Sequence, residues 1–120
     1  MKALAEYVSE LAPMLGQLEA VVASGQTTGG AKLFEWRIRA RIVDEKLQLA
    51  AKPAVPPDPE RGQPALLAPQ FAFGNRAAGN ARAALPHVTA LRRALDAGRV
   101  PAALEEARMI SHFVIAGDID

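Results

Sequence analysis

His87 and His112 are the side chains best suited to acid–base work in this chain of 120 residues. Either could serve as a general base if a carboxylate oriented it, and Asp118 and Asp120 supply two such groups. An imidazole with two carboxylates could equally hold a metal ion. The spacing specifies neither chemistry. No serine occupies a recognisable nucleophile elbow, and the chain has no cysteine, which removes thiol nucleophiles, thiolate ligands and disulfides. His87, at a helix start, reads as a surface residue. His112, in an apolar helical turn, reads as a packed one, and the two aspartates read as solvated.

The stretch GQTTGGAK, residues 25–32, has the outline of a phosphate-binding loop. That loop requires lysine directly after its second glycine and then Ser or Thr to hold magnesium. Here Ala31 intervenes and Leu33 follows Lys32. The reading is therefore no catalytic residue, no cofactor and no metal.

Arginines are the remaining chemical resource. Arg37, Arg39 and Arg41, with Arg92 and Arg93, could contact nucleic acid. Arg76 and Arg82 accompany the repeated Gly74-Asn75 and Gly79-Asn80 pairs and could approach an anion. The competing reading of residues 70–84 is a loosely helical segment whose glycines permit close packing, and that reading is preferred. The net charge is only +1, so no global nucleic-acid footprint exists. Residues 1–30 sum to −2, 31–52 to +3, 70–98 to +3 and 99–120 to −2. Acidic ends can thus neutralise basic middles inside one fold.

The elements that would position these residues centre on 31–52, AKLFEWRIRARIVDEKLQLAAK, which holds the single tryptophan. Strict alternation from Phe34 to Ile42 would suit a half-buried strand and would put Arg37, Arg39 and Arg41 on one side. Helix is favoured, because good helix formers dominate, no Gly or Pro interrupts, and Glu35 precedes Arg39 by four residues. Two apolar stripes then result. Phe34, Ile38, Ile42 and Leu49 form one. Leu33, Trp36, Ala40, Val43 and Leu47 form the other. The second is expected to face a partner, with Leu33, Trp36, Val43 and Leu47 as the interface, and a second copy of the chain as the simplest partner.

Residues 2–24 repeat Leu4, Val8, Leu11, Leu15, Leu18 and Val22 in heptad spacing and predict one helix kinked at Pro13. Gly25 should cap it. Residues 53–69 contain six prolines and read as a linker, with Pro53 and Pro56 in a PxxP spacing that could also dock. Residues 86–97 predict a helix with Pro86 in its first turn, closed by Gly98. A second helix should run from Pro101 to Gly117.

The expected protein is all-α and a single small domain. An N-terminal helical hairpin (1–52) is joined by the proline-rich linker to a C-terminal αα unit (70–120). No apolar run approaches a membrane span, and Glu6 and Glu10 interrupt any signal-peptide pattern, so a cytoplasmic protein is expected. The favoured function is a non-catalytic protein–protein interaction module, self-associating into a homo-oligomer. The alternative is a small nucleic-acid-binding regulator using the arginines.

Overall fold

The structure is a computed structural model that describes residues 3–26, 28–52 and 73–119. The expected linker, with its PxxP spacing, lies outside the described residues. The fold is all-α. Among the described residues five helices follow one another: α1 (Leu4–Tyr7), α2 (Leu11–Ala23), α3 (Lys32–Ala50), α4 (Asn75–Asp96) and α5 (Val100–Asp118).

Each long helix buries a seam in alternating steps of three and four. In α3 it is Trp36, Ala40, Val43, Leu47 and Ala50. In α4 it is Ala77, Ala81, Ala84, Val88, Leu91 and Leu95. In α5 it is Val100, Ala103, Ala107, Ile110 and Val114. Such spacing keeps one stripe of a helix against its neighbours over several turns. The pair α4–α5 forms the centre, α3 lies against α4, and α2 and α1 lie against α5. Helix α2 touches α3 more lightly, through Gln17 to Trp36 and Glu10 to Lys46. No polar or charged side chain is buried among the described residues.

The expected single helix over 2–24 is two. The break falls at Val8–Glu10, one turn ahead of Pro13. A proline ring clashes with the carbonyl four residues back, which here is Ser9. Restarting at Leu11 places Pro13 in the first turn, where its missing N–H would have had no partner in any case. Helix α2 ends as expected at Gly25, which takes φ 81. The Gly25 and Gln26 amides donate to Val22 and Val21, a Schellman arrangement, and Gly98 and Arg99 repeat it at the end of α4.

Two boundaries in the C-terminal half also differ from expectation. Pro86 lies inside α4, not in a first turn. An interior proline costs about 3 kcal/mol of helix stability, but the buried seam runs unbroken from Ala77 to Leu95 and the packing of that seam holds the helix together. Gly117 does not end α5, which runs on to Asp118. A Cβ on Gly117 would lie 3.3 Å from the Ala77 Cα and 3.1 Å from a Leu4 methyl. This glycine, and not Gly79, is the one that allows close approach, since Gly79 faces open space.

Asp118 is not merely solvated. Its Oδ1 accepts from the Leu4 amide at 2.6 Å and its Oδ2 from the Ala5 amide at 3.0 Å. One carboxylate at the end of α5 thereby satisfies two orphan donors of α1, whose own flanking residue Ala3 offers no side-chain cap. We expect Asp118→Ala to cost about 1 kcal/mol, the usual size of a lost cap. The loss should be concentrated in α1, where amide exchange at Leu4 and Ala5 should rise while the α4 seam stays protected. Unchanged exchange at these two amides would remove this role from Asp118.

Candidate functional site

Helix α3 carries the interface residues expected from the sequence, but with the faces exchanged. Trp36, Val43 and Leu47 are fully buried inside the chain, and Leu33 is half-buried beside them. The stripe assigned to a partner is the one that α4 covers. The physical reason lies in the antiparallel pairing of α3 with α4, fixed by Arg37 with Asp96, Asp44 with Arg92 and Arg82 with the Ala51 carbonyl, which turns the Trp36 stripe into the core. The indole Nε1–H of Trp36 donates to Gln17 Oε1 at 2.7 Å. The ring packs so closely on the preceding loop that a Cβ at Gly29 would lie 2.5 Å from it. The glycines of GQTTGGAK are thus accounted for by turn geometry at Gly25 and Gly30 and by the indole at Gly29.

The opposite stripe faces outward. Phe34 is 71% exposed and Ile38 46%, one turn apart, while Ile42 and Leu49 are half-buried. Phe34 and Ile38 form an apolar ridge beside a recess of about 320 Å³ between α3 and α4, completed by Arg37, Arg41, Arg92 and Asp96. Three of the sequence-selected arginines therefore converge. Each is engaged by an acid: Arg37 with Asp96 at 2.9 Å, Arg92 with Asp44 at 2.6 Å and Arg41 with Glu45 at 3.3 Å. The first two fasten α3 to α4. Arg39 points elsewhere and pairs with Glu35 at 3.0 Å, as the helical spacing implied.

The remaining arginines do not join this group. Arg82 Nη1 donates to the Ala51 carbonyl at 2.6 Å and caps the C-terminal end of α3. Arg76 and Arg93 are exposed near opposite ends of α4. Gly74 flanks the start of α4, and Asn80 donates its side-chain amide to the Arg76 carbonyl.

His87 is half-buried between α4 and α5, not a free surface residue. Its Nδ1 lies 2.8 Å from Glu106 Oε2, and its ring stacks on Phe113 at 5.6 Å. Phe113 also meets the exposed His112 ring edge-on. Asp118 is occupied at α1, and Asp120 lies outside the described residues. Among the described residues no group of three or more His, Asp or Glu could hold a metal ion. Tyr7 sits against Phe73 with Lys46 over its ring, and burial raises its phenol above the ordinary value.

A second surface feature has no counterpart in the sequence reading. A groove of about 350 Å³ runs between α1–α2 and α5, with Val8, Leu11 and Val114 as its floor and Leu15 and Ile115 on its sides. Glu19 is its one charged lining residue. It arises where the α1–α2 break and the small residues Ala12 and Gly16 thin the contact with α5. The heptad spacing of Leu4 to Val22 predicted burial without showing what would cover each turn.

No protein-family model, curated protein or solved structure matches this chain significantly. Among the described residues, no helix is long and apolar enough to cross a membrane.

Proposed function

We propose that this chain is a non-catalytic protein–protein interaction module of the cytoplasm that self-associates, acting as an adaptor, regulatory subunit or assembly component. The observation that carries this reading is the Phe34–Ile38 ridge, two large apolar side chains exposed together on the outer face of α3. A single exposed apolar residue is ordinary, whereas adjacent ones rimmed by charge mark contact surfaces. An aromatic anchor with arginine beside it is the composition favoured at such contacts. A nucleic-acid contact is less well supported, because the net charge is only +1 and Asp44, Glu45 and Asp96 are interleaved with the arginines on this face.

Sedimentation over a concentration series tests this reading. Wild type should move from monomer to larger species as concentration rises. Phe34→Asp, at an exposed position that the fold does not use, should keep its helicity and weaken association by about 2 kcal/mol or more, roughly thirtyfold. A wild-type chain that stays monomeric at high micromolar concentration would overturn the reading.

A further inference from the structure

We infer that self-association is head to tail, with the Phe34–Ile38 ridge of one copy seated in the α2–α5 groove of the next. This rests on the self-association proposed above and names both halves of the contact. One is the Phe34–Ile38 pair, 71% and 46% exposed at the edge of the α3–α4 recess. The other is concave, apolar and about 350 Å³ in volume, ample for a phenyl ring and the neighbouring isoleucine. Ile115, 56% exposed on the groove wall, is also left for a partner to cover.

Charge selects the pairing. The described residues from Ala3 to Gln26 contain Glu6, Glu10 and Glu19 and no lysine or arginine. Glu10 is engaged by Lys46, which leaves Glu6 and Glu19 exposed, and Glu19 lines the groove itself. The ridge is flanked by Arg37 and Arg41. Their present partners, Asp96 and Glu45, are more than half exposed, as are the arginines themselves. Such ion pairs contribute little, so turning an arginine toward Glu19 of a neighbour sacrifices little. A two-fold contact would instead press an arginine-rimmed ridge against its own copy and would leave the groove open. The head-to-tail contact covers both apolar surfaces. It is heterologous, so it generates a ring if the rotation closes and a filament if it does not.

The test uses two full-length variants, each disabling one half. Phe34→Asp removes the ridge. Gly16→Arg fills the groove and adds a charge that repels Arg37 and Arg41. A Cβ at Gly16 meets nothing within 4 Å, and replacing a helical glycine favours the helix, so this variant keeps the fold. Circular dichroism checks both. Each variant alone should remain monomeric at concentrations where wild type associates. Their equimolar mixture should form a one-to-one dimer and nothing larger, because one copy offers an intact groove and the other an intact ridge. Gly16→Arg that associates like wild type, or a mixture that stays monomeric, would overturn the head-to-tail contact while leaving the ridge as a self-association surface. A monomeric wild type would remove both.

Discussion

Trp36→Ala is expected to destabilise the monomer by about 3–5 kcal/mol, the range for truncating a buried aromatic residue to alanine. That is a large share of the roughly 5–15 kcal/mol that holds a small domain folded. Two losses combine. The indole is fully buried, so its removal opens a cavity in the core beneath the Gly29 loop. Its Nε1–H also satisfies Gln17, whose amide oxygen is then left to find water. Urea denaturation of wild type and variant measures the effect, read as a lower midpoint. The sequence reading of Trp36 as a partner contact would instead predict a weakened oligomer with helicity retained. A midpoint like that of wild type would contradict the core position of the indole.

Gly29→Ala is expected to cost about 1–3 kcal/mol, the usual size of overpacking. The new methyl would stand 2.5 Å from Trp36 Cζ3, 3.1 Å from Cε3 and 3.4 Å from Leu33 Cβ. Neither neighbour yields easily, since the indole is buried and tethered to Gln17. The shift should appear in the emission of the single tryptophan as well as in the denaturation midpoint. Two other glycines separate sterics from backbone conformation. Gly30→Ala meets open space but must adopt φ 55, at about 1 kcal/mol. Gly16→Ala meets open space in a regular helix and should stabilise by about 0.5–1 kcal/mol. A Gly29→Ala protein with unaltered emission and stability would show that the loop does not pack on the ring.

The helices were legible where spacing and punctuation agree. Leu4, Val8, Leu11 and Leu18 recur at heptad distance and are all buried. Gly25 and Gly98 cap helices as their positions suggested. The all-α class follows from such agreement, including the helical reading of residues 34–42 over the strand. Boundaries near proline were harder. At Pro13 the local clash prevails and the helix restarts, whereas at Pro86 the α4 packing prevails and the helix continues. Propensity alone cannot rank these two outcomes. The faces of α3 were beyond the sequence for a related reason. Its two stripes are similarly apolar, and only the placement of α4 selects the Trp36 stripe for the core. Gln17, Glu106 and Asp118 carry no local signal for their partners, which lie 19, 19 and 114 residues away in the chain.

The tie between Asp118 and the first turn of α1 bears on the order in which the protein assembles. It spans 114 residues of sequence, and closing so long a loop early forfeits more chain entropy than two hydrogen bonds return. The bonds form only after α4 and α5 have brought Gly117 against Ala77 and opened the seat for Leu4. Helix α1 is therefore expected to lock late in folding and to loosen early. Kinetically, Asp118→Ala should leave the refolding rate unchanged and express its cost as faster unfolding, the signature of a contact absent from the transition state.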